Sequence, residues 1–176
     1  CTSCGVLGAG KPAGQAVALV STSMSSAIDV AVIGVGLVGS AVLKQLATVP
    51  SLSALKVVAL QNSRKTLLAA PGQHLALDHW QAQLESGSSP ALSLEQLVSE
   101  LQAIQAKNRR HIAVVDNTSN DTVAGFYPSF LRAGFSVVTP NKKAFSGSVD
   151  LFSAMEEAKE SDTRPLVYQE STVGAG

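Results

Sequence analysis

Cysteine is confined to Cys1 and Cys4, at the very start of a 176-residue chain. Two thiols so close together cannot staple a fold of that length, and a thiol-poor interior suits a reducing, cytoplasmic compartment. An excess of either charge is missing too, since 13 Lys+Arg face 13 Asp+Glu. That balance removes the electrostatic case for nucleic acid or an anionic membrane surface as a partner. No apolar run reaches the roughly 18 residues that a membrane span needs. Charged residues make up 15% of the chain against an average of roughly 25%, while hydrophobic residues hold a normal globular 45%. The expectation is one domain with a real core over most of the length.

The first stretch lacks periodicity. Residues 1–27 are rich in Gly, Ala, Ser and Thr and carry Lys11 as their only charge. They have neither the basic nor the apolar region of a signal peptide, so they are expected to be a disordered leader. Met24 fits a start residue shortly before the first strand. The run from Gly5 to Lys11 has Walker A spacing, but Pro12 stands where a Ser or Thr must hold magnesium and no strand precedes it. Cys1 and Cys4 have metal-ligand spacing without a second pair to complete a zinc set. A start at Cys1, and an end directly after a strand-like run, read as the two cut ends of a fragment.

From Ile28 short apolar runs alternate with amphipathic stretches, the pattern of an open α/β fold with a parallel sheet and helices on both faces. Strands are expected at Ile28–Ile33, Lys56–Gln61, His111–Asp116, Phe135–Thr139 and Leu166–Gln169, each apolar enough to be buried on both faces. Helices are expected over Leu37–Thr48, over Leu94–Ala106 behind a Ser93/Gln96 capping box, and over Asn120–Ala133 with a kink or late start at Pro128 and an end at Gly134. A further helix over Ser148–Glu160 places Leu151, Phe152, Met155 and Ala158 on one core-facing stripe. The polar run Glu85–Pro90 reads as a surface loop. There is no internal repeat.

Gly34-Val35-Gly36-Leu37-Val38-Gly39 follows the first strand and opens the first helix, the context in which a G-x-G-x-x-G pattern means dinucleotide binding. Gly34 permits the tight turn, Gly36 lets backbone N–H groups approach a pyrophosphate, and Gly39 lets the helix pack closely while its positive end faces the anion. The second strand ends in Gln61-Asn62-Ser63-Arg64-Lys65. An acid normally stands there to grip the ribose 2′-hydroxyl of NAD; here Ser63 can donate a hydrogen bond and Arg64 or Lys65 can pair with a 2′-phosphate, which favours NADP over NAD. The bland reading of Arg64 and Lys65 is a solvated helix start. Asp116-Asn117-Thr118-Ser119 and Thr139-Pro140-Asn141-Lys142-Lys143 are polar turns at the carboxyl edge of the sheet, where open α/β folds bind ligands. His74, His79 and His111 are read as solvent or packing residues, with His111 at the far end of its strand.

These motifs, together with Ala124-Gly125-Phe126-Tyr127 and Tyr168-Gln169-Glu170-Ser171-Thr172-Val173-Gly174-Ala175-Gly176, occur in the order seen in homoserine dehydrogenases, which the chain resembles from about Ile28 to its last residue. The resemblance is greatest to the fungal type. It implies a Rossmann-type doubly wound domain over 28–165, with 166–176 the first strand and turn leading into an α+β catalytic and dimerisation domain that would follow Gly176. It implies NADP(H)-dependent reduction of L-aspartate 4-semialdehyde to L-homoserine, in threonine and methionine biosynthesis, by a homodimer. Leu37, Val38, Asn117, Thr118, Ser119 and Lys142 then join the cofactor-binding set, with Lys142 assisting catalysis and the main proton donor lying in the later domain. Glu170, Val173 and Ala175 match positions that bind a sodium ion, although Gln169 and Ser171 replace the His and Ala common in close relatives. A module that binds the dinucleotide without chemistry is the alternative. A methyltransferase is disfavoured by the missing acid at the second strand's end, and an aspartate-semialdehyde dehydrogenase by the lack of any Cys beyond Cys4.

Overall fold

The computed structural model describes residues 27–160 and 163–169. The leader motifs at Cys1, Cys4, Gly5–Lys11 and Met24, and the three cation-site positions Glu170, Val173 and Ala175, lie outside the described residues. Within them the chain forms β1 (Ile28–Ile33), α1 (Leu37–Thr48), β2 (Leu55–Gln61), β3 (Lys65–Leu68), α2 (Trp80–Ser86), β4 (Ser89–Pro90) and α3 (Leu94–Asn108). There follow β5 (His111–Asp116), α4 (Asp121–Gly125), α5 (Tyr127–Arg132), β6 (Ser136–Val138), α6 (Lys143–Ser146), α7 (Val149–Lys159) and β7 (Val167–Tyr168).

One seven-stranded sheet runs in the order β4-β3-β2-β1-β5-β6-β7. The β2-β1-β5-β6-β7 portion is parallel throughout. Because β1 pairs with β2 on one edge and β5 on the other, the chain leaves it in opposite directions, and the carboxyl ends of β1 and β5 flank a topological switch point. The architecture is Rossmann-type mixed α/β. Val30 to Ile33 and Val57 to Leu60 are buried without a break, as strands covered on both faces must be. The capping box at the start of α3 is formed in both directions, Ser93 Oγ accepting from Gln96 N and Gln96 Oε1 from Ser93 N.

Several details depart from the sequence expectations. The stretch after β2 is no helix start. Asn62 Oδ1 accepts from the N–H groups of Arg64 and Lys65, both at 2.8 Å, and this side-chain-driven turn sends the chain back as β3, antiparallel to β2. The Glu85–Pro90 loop contains the edge strand β4, which pairs antiparallel with β3. Pro90 is tolerated there because an edge strand needs no donor on its open side. The helix expected over Asn120–Ala133 is two short ones broken at Phe126, since Pro128 in the first turn of α5 starts a new helix more readily than it continues an old one. Gly134 closes α5 at φ 83°, as expected. On α7, Met155 and Ala158 are buried but Phe152 is exposed, so the apolar stripe is narrower than expected.

At the amino-terminal edge of the sheet, Asp29 is fully buried within β1. Asn108 Nδ2 donates to its Oδ2 at 2.6 Å and Arg110 Nη1 to its Oδ1 at 3.3 Å. Arg109, in the left-handed region at φ 52°, ends α3 and turns Arg110 toward this carboxylate. His111 opens β5 beside them, its Nε2 2.8 Å from Ser136 Oγ. Partial burial pushes its pKa below the ordinary 6.5. A base whose folded-state pKa is depressed takes up protons more readily when unfolded, so its contribution to stability is present above about pH 6.5 and is lost as pH falls below it. Urea midpoints measured between about pH 7.5 and about pH 5.5 should therefore fall more steeply for the native chain than for His111→Gln. Parallel slopes in the two proteins would show that His111 does not contribute.

Candidate functional site

The glycine loop sits at the switch point. Gly34 N donates to Gln61 O and Asn117 N to Ile33 O, both at 2.8 Å, so the ends of β1, β2 and β5 are stitched together around it. Gly34 adopts φ 87°, and a Cβ there would also stand 2.7 Å from Thr118 Cγ2. At Gly39 a Cβ would lie 2.0 Å from the Gly34 carbonyl oxygen. At Gly36 it would meet nothing within 4 Å among the described residues. Two of the glycines are therefore demanded by the protein itself, and the third leaves open space. Gly36 is also the N-cap of α1, offers no side-chain cap, and is followed by no acid in the first turn. The first-turn N–H groups are left for an external acceptor, and an anion is the natural one.

A cavity of about 720 Å³ opens beside this loop, lined by Gly34, Gly36, Asn62, Ser63, Thr118 and Ser119 among others. A second cavity, of about 570 Å³, shares Val35 and Asn62 with it and is lined by Arg64, Lys65, Trp80 and Glu85. One side of the larger cavity, at Gln61 and Leu92, is held by polar groups that sequence reasoning missed. Gln61 Nε2 donates to Leu92 O at 3.1 Å, Thr66 Oγ1 donates to Gln61 Oε1 at 2.8 Å, and Leu92 N donates to Thr66 Oγ1 at 3.0 Å. These bonds pin the segment before α3 over the end of β2.

The cofactor-set residues named from sequence do not all meet at one surface. Arg64 and Lys65 face the second cavity, and the Lys65 ammonium donates to the Glu85 carbonyl. Leu37 and Val38 are exposed at the start of α1 and line neither of the two cavities. Asn117 lies beneath the loop, its Nδ2 buried without a hydrogen-bond partner among the described residues and 3.5 Å from where a Gly39 Cβ would stand. Lys142 is exposed at the N-cap of α6, on the turn after β6. That turn is tied to the first cavity by Asn141, whose Nδ2 donates to Asn120 O at 3.2 Å. His74 and His79 are exposed on the segment between β3 and α2 and line neither of the two cavities.

The residues present fit a dinucleotide: an anion position at Gly36, a hydroxyl and a cation at Ser63 and Arg64, and, among the described residues, no acid lining the larger cavity. Among the described residues no group of three or more His, Cys, Asp or Glu could hold a metal ion, and no helix is long and apolar enough to cross a membrane.

Comparison with known proteins gives this geometry a family. Residues 34–169 match the model of the family described as homoserine dehydrogenase, NAD binding domain. The homoserine dehydrogenase of Saccharomyces cerevisiae is 37% identical over 150 residues, 85% of this chain and 40% of that protein. That of Emericella nidulans is 40% identical over 159 residues, 87% of this chain and 41% of that protein. A crystal structure of a protein of unknown function from Candida auris superposes with a TM-score of 0.74 at 36% identity, covering 85% of this chain and 40% of that one. A hyperthermophilic archaeal homoserine dehydrogenase solved in complex with NADPH shares the fold, with a TM-score of 0.60 at 22% identity over 82% of this chain and 44% of that one. The chain thus spans about 40% of the length of the curated fungal relatives it matches, and over that span it belongs to the homoserine dehydrogenase NAD-binding domain family.

Proposed function

We propose that this chain binds NADP(H) across the crevice at the ends of β1, β2 and β5, as the cofactor-binding part of an enzyme that reduces L-aspartate 4-semialdehyde to L-homoserine. The observation that carries the reading is the glycine loop at the switch point, with Gly36 open toward space that the protein leaves unfilled. When bound, the cofactor supplies the hydride. The chain's own residues bind and orient it, the α1 N-terminus at the pyrophosphate and Ser63, Thr118 and Ser119 along the cavity wall.

NADP is preferred to NAD on two grounds. Asn62 stands where an acid would hold a ribose hydroxyl, and its carboxamide oxygen is taken up by the turn. Arg64, exposed on that turn, is the better 2′-phosphate reader of the two basic residues because Lys65 is directed to the Glu85 carbonyl. Lys142 is assigned an assisting role toward cofactor and substrate. Glu170, Val173 and Ala175 are proposed to hold a sodium ion, and the complete enzyme is proposed to be a cytoplasmic homodimer. The roles of Lys142 and of the cation site, and the homodimer, rest on the family resemblance, and the compartment rests on the scarcity of cysteine.

The two kinds of glycine separate folding from binding. Gly36→Ala should keep the urea stability of the native chain within about 0.5 kcal/mol, whereas Gly39→Ala should cost about 3 kcal/mol because a backbone oxygen cannot move aside as a side chain can. Gly36→Asp should fold yet abolish NADPH binding in calorimetry, by placing bulk and negative charge against the pyrophosphate. Unchanged affinity would remove the site from this loop.

Cofactor choice has its own test. Arg64→Ala should weaken NADPH more than NADH by roughly 1–3 kcal/mol, the worth of one charge-assisted contact. Equal weakening of both would mean that Arg64 does not read the phosphate.

A further inference from the structure

Four polar residues at the ends of β5 and β6 are buried together, with Asp116, Tyr127 and Thr139 fully enclosed and Asn141 only 4% exposed. Asp116 is their centre. Its Oδ1 accepts from Thr118 N at 2.8 Å, and its Oδ2 accepts from the Tyr127 hydroxyl at 2.6 Å and from Asn141 Nδ2 at 3.4 Å. Thr139 Oγ1 stands 2.9 Å from the Tyr127 hydroxyl, donates to the Asp116 carbonyl oxygen at 3.0 Å, and accepts from Asn141 N at 2.9 Å. The donors facing the carboxylate are a backbone amide, a phenol and a carboxamide, all neutral. Burial, reinforced by the Asp116 hydrogen bond, pushes the Tyr127 phenol well above its ordinary range, so it stays protonated and keeps donating.

A buried carboxylate is a poor stabiliser for its own sake, because removing it from water costs several kcal/mol that neutral donors only partly offset. What distinguishes this one is what it holds. Through Oδ1 it sets the backbone of Thr118, whose methyl group occupies the space next to Gly34 and whose Oγ1 accepts from Asn120 N at 3.2 Å. Through Oδ2 and the Thr139 hydroxyl it sets Asn141, which binds the Asn120 carbonyl and directly precedes Lys142. One carboxylate therefore ties the turn that borders the glycine loop to the turn that carries Lys142.

We propose that Asp116, braced by Tyr127 and Thr139, is a positioning residue that fixes the spacing of these two turns and thereby the seat of the nicotinamide half of the cofactor. The proposal rests on the dinucleotide reading above. In that arrangement the adenosine lies toward the end of β2 and the nicotinamide toward the ends of β5 and β6. Loosening the network should thus be felt at one end of the ligand only. A residue that merely stabilised the fold would affect both ends alike or neither.

The test compares two probes on the whole chain: NADPH, and adenosine 2′,5′-bisphosphate, which lacks the nicotinamide half. Tyr127→Phe keeps the ring packing and removes one donor from Asp116; Thr139→Val removes the hydroxyl that joins β6 to it, and supplies an independent variant if the first does not fold. Thr139→Ser restores that hydroxyl. For Tyr127→Phe or Thr139→Val the dissociation constant for NADPH should rise about tenfold while that for adenosine 2′,5′-bisphosphate stays within about twofold, and Thr139→Ser should return to native affinity. Equal weakening of both probes, or a lowered melting temperature with both affinities unchanged, would overturn the positioning role. A native chain that binds neither probe would overturn the dinucleotide reading itself, and the proposal with it.

Discussion

Helix α1 can lie on the end of β1 only because residue 39 has no side chain: the carbonyl oxygen of Gly34 occupies the place where a Cβ would stand. This contact decides where the amino-terminal end of α1 points. The strand ends, the chain turns at Gly34 through a backbone conformation that side chains resist, and the helix starts at Leu37 without a side-chain cap, its first-turn N–H groups at the mouth of the crevice. The end of β5 closes on the same point from the other side, with Asn117 N on the Ile33 carbonyl and the Thr118 methyl filling the space beside Gly34. A bulkier residue at 39 would tilt the helix away, and the cavity that runs from Gly36 to Ser119 would lose its wall. The local packing rule and the binding geometry are one constraint.

The parallel part of the sheet was legible from sequence because a strand buried on both faces must be apolar along its length, and Val30 to Ile33 and Val57 to Leu60 are. The antiparallel edge was not. Lys65–Leu68 is short and starts with a charge, and Ser89–Pro90 carries the residues of a turn, so neither has a periodicity that separates strand from loop. What makes them strands is the turn at Asn62, a side-chain effect with no hydrophobic signature. The helix break at Phe126 was half legible. Pro128 announced an interruption, but the choice between a kink and a new start depends on which residues the core accepts, and Tyr127, Phe130 and Leu131 are all fully buried.

The same division runs through the candidate site. A glycine pattern placed between a strand and a helix is local and can be read directly, as can polar residues at a strand end. Asp116 was visible only as one such polar residue. Its partners Tyr127, Thr139 and Asn141 come from a helix, a strand end and a turn that meet only after β5 and β6 pair. Gln61, Thr66 and Leu92 form a similar knot on the β2 side, where the antiparallel edge was unforeseen. Apolar burial sets the layout of this fold and can be seen one segment at a time. Polar burial sets the details of the crevice and becomes visible only in the assembled structure.

The end of β2 shows why the identity of one residue there is a weaker guide to cofactor choice than its hydrogen bonds are. An acid at that point selects NAD because its oxygens are available to a ribose. The Asn62 oxygen is not available in that sense, since it holds the N–H groups of residues 64 and 65 and so forms the turn itself. A carboxylate in the same place could satisfy both donors with one oxygen and keep the other for a ribose, whereas the carboxamide has no second acceptor oxygen to offer. On the proposed reading, discrimination on this side of the crevice passes to the residues that the turn displays. Ser63 faces the larger cavity and Arg64 the smaller one, with Lys65 held back by α2 through the Glu85 carbonyl. On that reading the missing acid and the basic turn are one feature: the oxygen that makes the turn is already engaged, and the turn sets a guanidinium at the edge of the crevice.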